Sequence, residues 1–249
     1  ELTHETIPPL PLGVCVAETQ GSIGYMVQQS LQNVLKEKKI DREVVTLITQ
    51  TIVDKNDPSI NDPQKFIGRR YGKTEAQSLA RQFNWTIKEQ EPGKWRQVVP
   101  SPMPQFIEHG RSIQTLVDNG TIVIASGGGG IPTFWNDDHK LEGLNAVIDK
   151  DLSAALLGRV IKSEELWIIT DLDQVCLNFG KSNEQPLLKI TLDEAQKYFD
   201  EGHFQEGSMG PKIRAAMYFL KHHGKKVIIT SIAGVLGAIN GSNGTTITK

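Results

Sequence analysis

Apolar positions along this chain follow two periods. In TQGSIGYMVQQSLQNVLKEKK (19–39), Ile23, Met26, Val27, Leu31, Val34 and Leu35 recur at the spacing of one helix face. Ahead of it, IPPLPLGVCVAE (7–18) is broken by prolines and reads as extended chain. EVVTLITQ (43–50) runs nearly uninterrupted in β-branched and apolar residues, as a strand covered on both faces does. After position 102 the pattern becomes regular. PQFIEHGRSIQTLVDNG predicts a helix stopped by Gly120, TIVIA a strand, DKDLSAALLGRVIK a helix, ELWIITDL a strand and LDEAQKYFDEG a helix. PKIRAAMYFLKHHGKK comes next as a helix with Pro211 in its first turn, then the strand VIITS, a short helical stretch and a last strand, GTTITK.

Strands that alternate with helices imply an α/β fold, a three-layer αβα sandwich with a mostly parallel central sheet. Between Thr51 and Pro102 the texture differs. Five prolines (Pro58, Pro63, Pro92, Pro100, Pro102) and short periodic pieces predict a small protruding subdomain at 51–102. Residues 1–50 and 103–249 then form the core. In open parallel sheets, ligands bind outside the carboxyl ends of the strands. SGGGG comes directly after the strand TIVIA, so it belongs to that edge.

Composition narrows the classes. The 249 residues suffice for one large α/β domain or two small ones, and 38% hydrophobic with 22% charged residues suits a globular core. A net charge of −2 leaves no basic excess for a nucleic-acid partner. No apolar run reaches membrane-spanning length and no leader pattern opens the chain, so no membrane partner is expected. Cys15 and Cys176 are the only cysteines and form no C-x-x-C pair, which points to a reducing, cytoplasmic setting. The six histidines show no metal-ligand spacing with acidic partners, so no protein metal site is expected.

The chemistry-bearing stretches are few. Gly127, Gly128, Gly129 and Gly130 stand directly after a strand, and glycine there is entropically costly unless the backbone needs positive φ or close approach. Two readings are open: a tight turn, or a loop whose amides face an anion. A dinucleotide fingerprint fails in both registers, which put Pro132 or Thr133 in its last slot. A P-loop fails because Ser208 comes after Gly207 where lysine is required. AVIDKD places Lys150 between Asp149 and Asp151 at a strand-to-helix junction. Asp149 there is a helix cap beside a solvated lysine, or the set is functional. Lys212 opens a helix after GSMGP, a place where the helix dipole disfavours a cation unless an anion lies between them. Lys212 is either a plain surface residue or part of a phosphate clamp. Two such lysines and a tetraglycine loop suit phosphoryl transfer, in which catalysis is mostly positioning and charge neutralisation.

ETQGSIGYMVQQSL, ASGGGGIP, AVIDKD, GHFQEGSMGPKIRAA and VIITS, in this order and with similar gaps, resemble the carbamate kinase family of the amino-acid kinase fold over essentially the whole chain. The resemblance implies reversible phosphoryl transfer between ATP or ADP and carbamate through carbamoyl phosphate, with Mg²⁺, in a homodimer serving arginine metabolism. It assigns Lys150 and Lys212 to the transferring phosphoryl group, and Asp151 to holding the lysines by charge. Thr170, Asp171, Gly207, Ser208 and Met209 would flank the nucleotide. A subdomain lysine sits in N-P-T-K-P-[IV]-G in the family. DPQKFIG stands in its place here, so the counterpart is Lys65, with Asp62, Gln64 and Phe66 departing from the pattern. Family members also open with G-G-N and G-N-G-P-Q loops that this sequence lacks. About two βα units of ~30 residues or more each are therefore expected ahead of Glu1, unless the chain is a truncated form. The alternatives are a non-catalytic nucleotide-binding or assembly module of the same fold, and a sibling kinase with another small acceptor.

Overall fold

The computed structural model describes residues 10–205 and 207–249. In chain order the elements are α1 (Leu12–Glu37), β1 (Val44–Thr46), β2 (Gln50–Val53), a 3-10 turn (Pro58–Ile60), β3 (Lys65–Tyr71), α2 (Lys73–Phe83), β4 (Ile87–Glu91), β5 (Lys94–Val99), β6 (Pro104–Ile107), α3 (Gly110–Asp118), β7 (Ile122–Ile124), a glycine turn (Gly127–Gly129), β8 (Ile131–Trp135) and β9 (Leu141–Gly143). Then come α4 (Lys150–Val160), β10 (Glu165–Thr170), β11 (Val175–Leu177), β12 (Gln185–Leu187), β13 (Lys189–Thr191), α5 (Leu192–Asp200), α6 (Met209–His222), β14 (Lys226–Ser231), α7 (Val235–Ile239) and β15 (Thr245–Thr248). They form two compact units. One comprises the chain up to Glu108 with Thr121–Asp149, the other His109–Gly120 with Lys150–Lys249.

In the first unit, β1 pairs in parallel with β7, and β2 lies between parallel β8 and antiparallel β6, with β9 beyond β8. The segment Lys65–Val99 makes its own three-stranded antiparallel sheet, β3-β5-β4, with α2 packed on it. In the second unit the sheet runs β10-β14-β15-β13, and its β10–β14 and β13–β15 pairs are parallel. Thr191 caps α5 in a capping box with Glu194, as the TLDE sequence favours.

Three elements differ from the pattern. The chain is helical from Leu12, so 12–18 is not extended, and residues 7–9 lie outside the described residues. Its prolines end at Pro11, the residue before the helix, where no helical hydrogen bond is lost. EVVTLITQ is two strands broken at 47–49, each joining a different sheet. PQFI is strand β6 and only Gly110–Asp118 is helical. Ile107 pairs with Thr51 and is fully buried, so tertiary pairing overrides a helical spacing of apolar residues. Pro104 is tolerated because β6 is an edge strand.

The core of the second unit centres on Phe219 of α6, fully buried with Ile213, Ala216, Leu220, Val227 and Ile229. Its ring lies where side chains at two glycines would stand: a Cβ at Gly158 of α4 would come within 2.7 Å of it, and one at Gly224 within 2.1 Å. Glycine at 158 therefore sets how closely α4 and α6 approach. Alanine in place of a helix-interior glycine ordinarily gains about 1 kcal/mol. Here overpacking, at about 1–3 kcal/mol, reverses the sign. Gly158→Ala is expected to lower Tm by several degrees, at about 2–4 °C per kcal/mol. Gly143→Ala, which meets nothing within 4 Å, should leave it nearly unchanged. A rise in Tm for Gly158→Ala in a thermal melt contradicts this account of the packing.

Candidate functional site

In the second unit α4 opens with Lys150 and Asp151, and Lys212 lies in the first turn of α6. A carboxylate suits the positive end of α4. Asp151 Oδ2 accepts from Lys212 Nζ at 3.1 Å and from Lys150 Nζ at 3.3 Å. The Asp151 and Lys212 side chains are only 9% and 12% exposed, whereas that of Lys150 is 63% exposed. One carboxylate thus restrains two ammonium groups and leaves a net charge of +1. Burying Lys212 is costly and is tolerated because Asp151 supplies a counter-charge within hydrogen-bond reach. Of the two readings of Lys212, the exposed surface residue does not hold.

The first unit carries the glycine loop and Lys65. Ser126, Gly128, Gly129 and Gly130 all have positive φ, at 55°, 67°, 103° and 86°. Gly129 and Gly130 are buried, and a Cβ there would stand 2.4 Å from the Ile148 carbonyl oxygen and 2.1 Å from Thr51 Oγ1. These two are required by close backbone approach. Their N–H groups close the turn on Ser126 and Gly127 carbonyls at 2.9 and 3.2 Å. Gly127 and Gly128 are exposed, and a side chain at Gly128 would enter open space. At the start of β3, Lys65 Nζ lies 3.5 Å from Asp149 Oδ2, whose side chain is largely buried. Asp149 therefore holds a lysine 84 positions away in sequence, which its place in AVIDKD does not reveal.

Thr170 ends β10 and donates to the Asp171 carboxylate at 2.9 Å; it pairs in register with Ser231 at the end of parallel β14. Ser231 in turn binds the Asp173 carboxylate and accepts the Gly234 N–H at 2.9 Å. This cluster occupies the carboxyl ends of two parallel strands, where α/β sheets bind ligands. Gly207 and Ser208 form the turn before α6, while the Met209 side chain packs into the core cluster. Among the described residues no group of three or more His, Cys, Asp or Glu is placed to hold a metal ion. No described helix is long and apolar enough to cross a membrane.

The structure brings Lys150, Asp151 and Lys212 together within the second unit, and Lys65 to Asp149 within the first. Sequence reasoning missed the Asp149 pairing, the Asp173–Ser231 bond and the threonines under the glycine loop. Only threonines at alternate positions (Thr49, Thr51) in an otherwise apolar stretch signalled polar work there.

The family model for the amino acid kinase family matches residues 29–231. A carbamate kinase of Pyrococcus horikoshii is 44% identical over 97% of this chain and 77% of that protein. A carbamate kinase of Trichomonas vaginalis is 41% identical over 98% of this chain and 78% of that protein. The solved structure of a carbamate kinase from Giardia lamblia bound to AMP-PNP superposes with a TM-score of 0.91 at 41% identity, covering all of this chain and 78% of that one.

Asp151→Asn strands a buried ammonium, and removing one partner of such a pair costs about 3–5 kcal/mol. The double variant Asp151→Asn, Lys212→Met removes both charges and should regain most of that stability in urea denaturation. Additive losses from the two substitutions contradict the coupling.

Proposed function

The chain belongs to the amino acid kinase family and, within it, to the carbamate kinases, and on that premise we propose that it transfers a phosphoryl group reversibly between ATP and carbamate, converting ADP and carbamoyl phosphate to ATP and carbamate. The observation that carries this reading is the Asp151 carboxylate fastening Lys150 and Lys212.

In the direction of ATP formation, a terminal β-phosphate oxygen of ADP attacks phosphorus. The bond from phosphorus to the carbamate oxygen breaks, and carbamate leaves with the electron pair. Charge spreads over the transferring oxygens in the transition state, and fixed cations stabilise it more than they do the ground state. Lys150, exposed at its tip and tethered at one side, is the cation for the transferring group; Lys212, held in place by Asp151, is the cation for the bridging oxygens. The exposed Gly127–Gly128 stretch is the part of the glycine loop that faces phosphate, because the amides of Gly129 and Gly130 are spent on the turn. We assign Lys65 to a further phosphate contact from the 51–102 subdomain. Thr170, Asp171, the Gly207–Ser208 turn and the backbone at Met209 flank the nucleotide. Mg²⁺ enters with ATP: ions of this kind are held largely by nucleotide phosphates and water, and the Asp151 carboxylate is already engaged by two lysines.

The same reading puts the protein in the cytoplasm, in arginine metabolism, with free Cys15 and Cys176 suiting a reducing setting. It also makes the protein a homodimer. Helix α1 supports this: Ile23, Met26, Val27 and Val34 are exposed, and no charged residue occurs from Thr19 to Leu35. Such depletion of charge marks interface cores and lets a surface meet its own copy without repulsion. Met26→Glu is expected to give monomers in sedimentation velocity; an unchanged dimer would place the interface elsewhere.

Lys150→Ala and Lys212→Ala should each reduce kcat by about a hundredfold or more, with ADP binding much less affected. Gly128→Ala adds a side chain in open space at positive φ, for about 1–2 kcal/mol of strain, and should lower kcat well beyond what that loss of stability explains. Near wild-type kcat in both lysine variants, in a coupled ATP assay, removes the phosphate-clamp assignment.

A further inference from the structure

We propose that Gln20 is the positioning residue of the glycine loop: its side-chain amide clamps the backbone of Thr49, and Thr49 holds both ends of the loop. The inference rests on the reading of that loop as a phosphate loop.

Gln20 lies on α1 yet is only 6% exposed, and a buried amide has to satisfy both its oxygen and its nitrogen. Its Oε1 accepts the Thr49 N–H at 2.8 Å, and its Nε2 donates to the Thr49 carbonyl at 3.2 Å. Two such bonds to a single residue are what an opposing residue makes in an antiparallel ladder. The need for them comes from the break at 47–49. There the chain leaves the β1–β7 pair and enters the β2 sheet, and Thr49, fully buried, sits in neither. Buried backbone groups without partners are strongly disfavoured. Gln20 replaces the missing strand neighbour.

Thr49 is in turn a node for the loop. Its carbonyl also accepts the Ile131 N–H at 2.9 Å, just after the glycines. Its hydroxyl accepts the Ser126 N–H at 3.1 Å, just before them, and donates to the Leu47 carbonyl at 3.0 Å. Thr51 adds a third tie, from Oγ1 to the Gly129 carbonyl at 3.0 Å. Gly127 also rests on the Gln20 side chain, since a Cβ there would stand 3.2 Å from Gln20 Cγ. The loop residues are thus positioned from α1 through one threonine. No other side chain fits as well: asparagine is a methylene too short, glutamate sets an oxygen against the Thr49 carbonyl, and methionine matches the shape without either bond.

The test combines amide exchange by NMR with kinetics. In Gln20→Met the N–H groups of Ser126 and Ile131 should exchange about tenfold faster or more. In Thr49→Val, which keeps the backbone clamp, Ser126 should loosen while Ile131 stays protected. A loop displaced by about 1 Å should reduce kcat roughly a hundredfold in Gln20→Met, with ADP affinity within about twofold of wild type and Tm lowered by only a few degrees. A mere packing role would lower Tm and leave both loop exchange and kcat per folded molecule unchanged. If Gln20→Met does not fold, Gln20→Glu, which keeps the bond to the Thr49 N–H, takes its place with a smaller expected effect. Unchanged exchange at Ser126 and Ile131 in whichever variant folds overturns the proposal. So does a loosened loop with normal kcat where Gly128→Ala lowers kcat. If loosening the loop and Gly128→Ala both leave kcat normal, the phosphate-loop reading itself fails.

Discussion

In the second unit one carboxylate, set in place by helix packing, holds two cations. Asp151 is buried at the start of α4 and accepts hydrogen bonds from Lys150 and Lys212, the second of which is nearly as buried as Asp151 itself. A lysine ammonium in such a place is ordinarily expelled or neutralised, because the desolvation penalty exceeds what weak surroundings return. Here the penalty is offset by a partner at 3.1 Å whose position comes from the packing of α4 against α6, and that packing needs glycine at 158 opposite Phe219. The chain of cause runs from a missing side chain, to helix approach, to a paired charge, to a cation held in a defined place. Pre-set cations of this kind contribute to phosphoryl transfer because no reorganisation is required as charge develops.

In the first unit the glycine loop is held by neutral groups. The loop owes its shape to threonines and to an amide borrowed from α1, not to charge. Within the loop the glycines do different work. Gly129 and Gly130 lack side chains because backbone and Thr51 stand where a Cβ would be, whereas Gly128 faces open space. Packing thus demands glycine at Gly129 and Gly130, and at Gly128 only the positive φ favours it. Lys65 with Asp149 is the one charged pairing tied to this unit's functional reading, and the lysine is far more exposed than its partner.

Much of the fold was legible because the relevant forces are local. The strands at Glu165–Thr170 and Lys226–Ser231, and the helices α4, α5 and α6, lie where apolar period, β-branching and capping residues place them. The misread pieces share one feature. In PQFI, Phe106 stands at helical spacing from Ile113 and Val117, yet Ile107 pairs with Thr51, more than fifty residues earlier. EVVTLITQ reads as one strand, yet its two halves join β7 and β8, partners far along the chain. Leu12–Glu18 comes after prolines that disfavour helix up to Pro11 and no further.

By itself the sequence determined the α/β class, the place of the glycine run after a strand, the lysines that open α4 and α6, and the family whose spacing they share, because each is written in residue types close together in the chain. Tertiary structure alone decided which aspartate holds which lysine, why two of the four glycines are buried, and that Gln20 stands in for a strand. Those outcomes depend on distances between residues 29 to 84 positions apart for the contacts at Gln20, Lys212 and Lys65. Such distances are set by how closely backbones can approach, and no local propensity encodes them.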